Sequence, residues 1–325
     1  MSTQPSPTLT AVGKRVPDFF IVGTPKSGTT SLHSMLRQHP QIFMPDLKEP
    51  QFLVSDAPAR PELADKLPRE IKKPHTLEDY LALFDDAQPG QRVGESSTFY
   101  LWSRTAAAQI AELQPEARIL AILREPVSFL RSLHLTFLLI SYETERNLQK
   151  AMSLEAARRE GKHIPRYSAR PQLLQYSDHV RYVEQLRRYE DRFGPERVLV
   201  LIFDDLWGDT QAAIRRVLRF LEVDDEYPIK RVNTNITKRA VRSPTLKNLL
   251  ESIAAWRGPP RAARIEQLPR NAVRLIRHRF VFGERPSVDE DFEMELRRRF
   301  KGEVVALSDY LGRDLVSLWG YDKVG

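Results

Sequence analysis

No cysteine occurs among the 325 residues. Disulfides, thiolate nucleophiles and cysteine-based metal sites are therefore excluded. Long apolar runs are missing too. The longest candidate, 132–140, is interrupted by His134 and Thr136, far short of the ~20 apolar residues of a membrane-spanning helix. The first ten residues hold Pro5, Pro7 and three threonines, with no apolar core of a secretory signal. The expectation from these absences is a soluble, cytoplasmic chain. No internal repeat is visible. Acidic excess is also lacking: the net charge is +7 and the pI about 9.5. That balance suits an anionic ligand or an acidic acceptor and does not require nucleic acid. The excess is local, because 257–285 carries eight arginines against Glu266 and Glu284. This stretch fits either a helix with a solvated basic face or a peripheral contact with an anionic membrane.

What is present is a core-forming pattern. Hydrophobic residues make up 41% of the chain. Apolar runs at 18–22, 118–123 and 197–203 read as strands, and Arg92–Glu95 as a shorter one. The two runs Ile119–Leu123 and Val198–Phe203 are apolar throughout, as strands buried on both faces are. Helical periodicity lies between them: Thr29 to about His39, Thr76–Phe84 behind a Thr76 cap, Ala106–Leu113, Pro126–Ile140, around Leu148–Arg159, Gln172–Phe193 and Thr210–Leu221. Strands alternating with helices imply an α/β fold, a parallel sheet with helices on both faces. The expected organisation is a disordered 1–15, one domain over 16–325, a surface insertion at 55–75 and a mainly helical part at 224–325.

One stretch carries chemistry by itself, Ile21-Val22-Gly23-Thr24-Pro25-Lys26-Ser27-Gly28-Thr29-Thr30-Ser31-Leu32. A strand, a tight loop and a helix N-terminus converge backbone N–H groups on an anion. The nucleotide triphosphate motif G-x-x-x-x-G-K-[ST] is not met. Gly23 and Gly28 have its spacing, but Thr29 stands where the lysine belongs, and Lys26 lies inside the loop. A second anion site follows the apolar strand at 118–123. Arg124 stands at its carboxyl end, the edge where open α/β sheets bind ligands, and can grip a phosphate with two hydrogen bonds. Ser132 lies eight residues on, along the next helix.

Pro25-Lys26-Ser27-Gly28-Thr29-Thr30 closely resembles the 5′-phosphosulfate loop of sulfotransferases that use 3′-phosphoadenosine 5′-phosphosulfate (PAPS). Arg124 and Ser132 resemble that family's 3′-phosphate motif. Gly94-Glu95-Ser96-Ser97 with Tyr100 resembles its Gly-Glu-x-Ser-Pro-x-Tyr segment, with Thr98 in place of proline. Val198–Asp205, Val217–Val223 and Leu311–Leu315 with Trp319 extend the likeness over about 18–320. The resemblance implies a P-loop-like sheet and transfer of a sulfuryl group from PAPS, with PAP as product and no metal. Lys26 would offset charge on the leaving phosphate, Ser27, Gly28, Thr29, Thr30 and Ser31 would hold the 5′-phosphate, and Arg124 with Ser132 the 3′-phosphate. A basic loop closes over the nucleotide in this family, which makes Lys238, Arg239 and Arg242 further candidates. The family's Golgi members carry an N-terminal anchor that is not seen here.

Two bases occur in the family. Phenol- and steroid-type members use a histidine shortly before the 3′-phosphate arginine. Here Phe99–Trp102 stand there, and His75 and His134 lie elsewhere. Heparan-type and bacterial members use the glutamate of Lys-Glu-Pro-x-Phe, which Lys48-Glu49-Pro50-Gln51-Phe52 matches. Glu49 is thus the implied general base, with Pro50, Phe52 and Leu53 as an expected apolar wall. Ser96 replaces a lysine common in heparan-type members, which weakens heparan specificity, and the role of Glu95 stays open. The acceptor half is expected among Tyr142, Arg146, His163, Arg166, Tyr167 and Arg170. The implied acceptor is a carbohydrate or other hydroxylated small molecule. The alternatives are an ATP-using kinase, which the missing lysine disfavours, and a non-catalytic protein that binds PAP or an acidic glycan.

Overall fold

Strand β1 (Phe19–Gly23) is buried along its whole length. Its alternate residues point into different layers, as the period of a strand requires. Phe20 and Val22 join one apolar cluster with Ile119, Ala121 and Leu123. Phe19 and Ile21 join the other with Leu120 and Ile122. A sheet covered on both faces needs apolar side chains at every position, and these runs supply them.

The computed structural model describes residues 13–60, 63, 74–232, 240–241, 282–283 and 289–325. After β1 come α1 (Thr29–Leu36), β2 (Ile42–Phe43), α2 (Leu77–Leu81), β3 (Arg92–Ser96), α3 (Ala106–Leu113), β4 (Arg118–Leu123), α4 (Pro126–Leu139), α5 (Leu148–Ser153), α6 (Glu155–Arg159), α7 (Tyr182–Phe193), β5 (Val198–Ile202), α8 (Phe203–Gly208) and α9 (Thr210–Phe220). Helices α10 (Glu290–Leu311) and α11 (Leu315–Leu318) close the chain. The five strands pair in the order β2-β3-β1-β4-β5, all parallel. The chain leaves β1 towards β2 on one side and β4 towards β5 on the other. The crevice at the carboxyl ends of β1 and β4 is thus a topological switch point, where such sheets bind ligands. Thr24 N–H donates to the Ile122 carbonyl at 2.8 Å and joins the two strand ends there.

Several boundaries differ from the sequence pattern. The long helix expected at 172–193 is broken. Only Tyr182–Phe193 is α-helical, behind two 3₁₀ turns at Pro171–Leu174 and Tyr176–Val180. Side chains capture the turns: Ser177 N–H donates to Glu155 at 2.8 Å, and the His179 ring bonds the Leu173 carbonyl at 2.8 Å. The segment 148–159 divides into α5 and α6 at Leu154. Helix α2 starts behind the Thr76 cap and tightens into a 3₁₀ turn at Ala82–Phe84. At the N-terminus, Lys14 reaches Asp85 at 3.4 Å, ahead of the residue-16 boundary. Within the expected insertion, Ala57 is buried, and Asp56 accepts from Ser103 Oγ at 2.6 Å and Arg104 N–H at 2.7 Å. The start of that segment is therefore pinned beside α3. Arg60 N–H also donates to the Ala169 carbonyl at 2.8 Å, and Leu63 is buried. Residues 61–62 and 64–73 and the 257–285 arginines lie outside the described residues. Among the described residues, no helix is long and apolar enough to cross a membrane.

In α10, Leu296, Phe300, Val304 and Leu307 are buried at helical spacing. Asp289 caps the start, and Gly312 ends the helix in the left-handed region at φ 60. Its first turns lie along the cleft described next.

Candidate active site

Three loops converge at the carboxyl edge of the sheet. The first leaves β1. Its Gly28 is the N-cap of α1, has φ 91 and carries no side-chain cap. A Cβ there would stand 3.3 Å from both Leu206 Cδ2 and Trp207 Nε1. Both the backbone conformation and the close approach therefore require glycine. The start of α1 therefore has the positive end of the helix dipole facing this loop, which favours an anion.

The second loop leaves β4 at Arg124. Its guanidinium donates to the Lys26 carbonyl at 3.1 Å and lies over the Phe203 ring, 4.7 Å from the centroid. This one contact ties the two expected phosphate motifs together. Helix α4 then starts differently from α1. The Glu125 carboxylate accepts from Val127 N–H at 3.1 Å and Ser128 N–H at 2.6 Å, and receives the Tyr321 hydroxyl at 2.7 Å. A carboxylate already fills that helix start. An anion bound beside α4 must use the Arg124 side chain and, two turns on, the Ser132 hydroxyl.

The third loop carries Glu49. Glu49 and Gln51 both adopt left-handed backbone, at φ 61 and φ 54. Each such non-glycine residue costs roughly 1–3 kcal/mol, and such strain clusters at functional sites. The conformation is held from β3: Glu49 N–H donates to the Ser96 carbonyl at 2.9 Å and Gln51 N–H to Ser97 Oγ at 2.9 Å. Lys48 Nζ holds one carboxylate oxygen at 2.7 Å, and Gln51 Nε2 the other at 3.2 Å. The Glu49 side chain keeps 33% of its exposure. Of the three residues expected to wall it, Pro50 is buried beside it, Phe52 stacks on Tyr80 at 4.7 Å, and Leu53 is in the core.

Glu95 lies beneath this loop, fully buried. It accepts from Tyr80 OH at 3.3 Å, and the hydroxyls of Tyr100 and Ser97 also stabilise its charged form. Those two hydroxyls accept from Leu53 N–H at 3.2 Å and Gln51 N–H at 2.9 Å. Glu95 thus lies beneath the groups that shape the Glu49 loop and is not in the cleft lining. Burial is the largest influence on its carboxyl and pushes it up to about 7. The native state then holds a proton that the unfolded chain has lost between pH ~4.5 and ~7, so stability falls as pH rises through that window. Glu95→Gln removes this titration. The stability gap between variant and wild type, read by thermal melts from pH 4.5 to 8, is expected to shift in the variant's favour as pH rises to about 7 and then level off. A gap that does not change with pH would show that Glu95 titrates normally.

All three loops open into one cleft of about 760 Å³. Lys26, Gly28, Thr29, Thr30, Ser31, Glu49, Arg124 and Ser132 all line it. Ser27 does not: it is buried, and its hydroxyl bonds Thr24 Oγ1 at 2.6 Å. Of the expected acceptor residues, Tyr142 and Arg146 line the cleft. His163, Arg166, Tyr167 and Arg170 are not in that lining. Lys238, Arg239 and Arg242 lie outside the described residues. Sequence reasoning missed Phe99, Phe137, Ile140 and, from α10, Asp289, Phe292, Glu293 and Leu296, which complete the far wall. No local pattern marks them, because α10 arrives by tertiary packing. His134 also lines the cleft. Its ring nitrogens bond Tyr176 OH at 2.9 Å and the Arg146 carbonyl at 3.1 Å, and burial lowers its pKa.

Comparison with known proteins gives this arrangement a context. Residues 17–227 match the Sulfotransferase family. Carbohydrate sulfotransferase 15 of Mus musculus is 31% identical over 157 residues, covering 38% of this chain and 27% of that protein. The membrane-associated sulfotransferase kil1 of Dictyostelium discoideum is 29% identical over 126 residues, covering 38% of this chain and 24% of that protein. The chain spans about a quarter of the length of these curated relatives. A sulfotransferase structure from Alicyclobacillus acidocaldarius shares the fold, with a TM-score of 0.65 and 24% identity over 94% of this chain and 99% of that one. The family match takes in all three site loops, and the chain belongs to the sulfotransferase family.

Proposed function

We propose that the protein transfers the sulfuryl group of PAPS to an acceptor hydroxyl, with Glu49 as general base. The observation that carries this reading is the 3.1 Å bond from the Arg124 guanidinium to the Lys26 carbonyl. It brings a helix N-terminus and a side-chain phosphate clamp into one cleft with a carboxylate. A nucleotide with separate 3′- and 5′-phosphates matches two anion sites held a fixed distance apart. PAPS supplies the sulfuryl group. Lys26 and the N–H groups after Gly28 hold the 5′-phosphate and offset its growing charge. Arg124 and Ser132 hold the 3′-phosphate. The acceptor oxygen gives its proton to Glu49 and bonds to sulfur, while the sulfur–oxygen bond to the phosphate breaks with its electron pair on the phosphate. The likeness to carbohydrate sulfotransferase 15 and the Lys48-Glu49-Pro50 segment support a carbohydrate or another hydroxylated metabolite as acceptor.

Calorimetric titration with PAP tests the reading, and absence of PAP binding overturns it. Arg124→Ala is expected to weaken PAP affinity about 10- to 100-fold, the worth of hydrogen bonds to a charged group. Unchanged affinity would break the 3′-phosphate assignment.

A further inference from the structure

Away from the phosphate residues, the wall of the cleft is mostly carbon. Phe99 follows the Glu49-supporting strand β3 and stacks on Phe137, with centroids 6.5 Å apart and planes at 20°. Phe137 stacks in turn on Tyr142, at 6.1 Å and 27°. The three rings form one continuous apolar surface, with Ile140 at its rim still 45% exposed. Helix α10 adds Phe292 and Leu296 to the same cleft. Phe137 and Leu296 are core residues that back this wall, while Phe99, Tyr142, Ile140 and Phe292 keep part of their surface towards the cleft. Apolar side chains that line a cleft mark a binding surface.

Charge points the same way. Apart from Lys26 and Arg124, the described lining offers Arg131 and Arg146 as strong cations, against Glu49, Asp289 and Glu293. Arg131 is bound to Glu293 at 3.1 Å. A polyanionic glycan needs a wall with an excess of arginine and lysine. With Lys26 and Arg124 given to the nucleotide, the described lining leaves Arg131 and Arg146 beside three carboxylates and so no cationic excess for such a chain. Size also limits the occupant: 760 Å³ lies within the ~300–1,000 Å³ of an ordinary small-molecule site, and nucleotide and acceptor must share it.

We propose that the acceptor is an uncharged small molecule that presents a hydroxyl on an apolar, ring-containing body, which rests against Phe99, Ile140 and Tyr142, backed by the buried Phe137, while the hydroxyl reaches Glu49. This rests on the sulfotransferase reading and selects within it: an apolar alcohol or phenol, not an acidic polysaccharide.

The test uses the full chain saturated with PAP, which cannot react. Calorimetry measures binding of three neutral probes, 2-naphthol, estradiol and cholesterol solubilised in cyclodextrin, and of a chondroitin sulfate hexasaccharide. At least one neutral probe is expected to bind, and more tightly than the hexasaccharide. Ile140→Glu places a charge on an exposed position of the apolar wall, where the fold tolerates it. It is expected to weaken the bound probe about tenfold or more while PAP affinity stays the same. Phe137→Leu, which keeps the core filled, is expected to weaken the probe as well. Failure of all three probes to bind overturns the acceptor proposal, as does tighter binding of the hexasaccharide or a probe affinity that neither substitution changes. In each of these cases PAP binding is retained, so the sulfotransferase reading stands. Loss of PAP binding itself would overturn that reading separately.

Discussion

Replacing Glu49 by glutamine is expected to cut turnover by ~10²–10⁴-fold, the usual contribution of a positioned general base, with PAP affinity unchanged. The substitution keeps the side chain's size and the Ser96 carbonyl contact of the Glu49 backbone, 2.9 Å long. It removes the lone pair that takes the acceptor proton. Because the role is confined to the transition state, the loss should fall on kcat and kcat/KM together. Full activity in the variant would remove Glu49 as base. His134 would not be a ready substitute. It lines the same cleft, but both its ring nitrogens are engaged, by Tyr176 OH at 2.9 Å and the Arg146 carbonyl at 3.1 Å. Taking a proton from an acceptor would first require one of those bonds to open.

The second large effect concerns stability. Arg158→Met is expected to destabilise the fold by ~3–5 kcal/mol, the cost of leaving a buried charge without its partner. Arg158 and Glu143 have side chains only 1% and 0% exposed. The pair is bidentate, at 2.7 and 2.9 Å. Glu143 further accepts the Thr144 and Glu145 N–H groups at 2.8 and 2.9 Å and Tyr176 OH at 3.1 Å. With Arg158 gone, that carboxylate stays buried without its cation. The double variant Glu143→Leu with Arg158→Met should recover part of the loss, since no charge is then stranded. Urea unfolding of the three proteins checks this. A loss below about 1 kcal/mol in the single variant would mean that water reaches the pair, as at an exposed ion pair. The network also matters for function, because Tyr176 and the 143–146 turn support the cleft wall at His134 and Tyr142. Acceptor binding should therefore suffer in any single variant that still folds.

The two strand-loop-helix segments at Gly23–Thr29 and Leu123–Pro126 were legible because each is local. A buried strand, a tight loop and a helix start follow one another within a dozen or so residues. The Glu49 loop was legible by resemblance to a family segment, but its support was not. Nothing near Glu49 indicates that Ser97 and Tyr100 accept the N–H groups of Gln51 and Leu53. The strained backbone at Glu49 and Gln51, with φ 61 and φ 54, carries no local signal either. The same reason explains the broken helix at 172–193. Helical periodicity was present, but Glu155 and the Leu173 carbonyl bond Ser177 and His179 across the turn, and those contacts override propensity.

By itself the sequence determined the layered sheet, the two anion loops and their order, because apolar runs, glycine spacing and a proline at a helix start act on neighbouring residues. Only the tertiary structure decided which ends meet. It placed Arg124 against the Lys26 carbonyl, closed α4's start with Glu125 and Tyr321, and sank Glu95 under the Glu49 loop. It also brought α10 from the far end of the chain to line the cleft. Those outcomes depend on packing between distant segments, where burial and charge pairing are set by partners that no local pattern names.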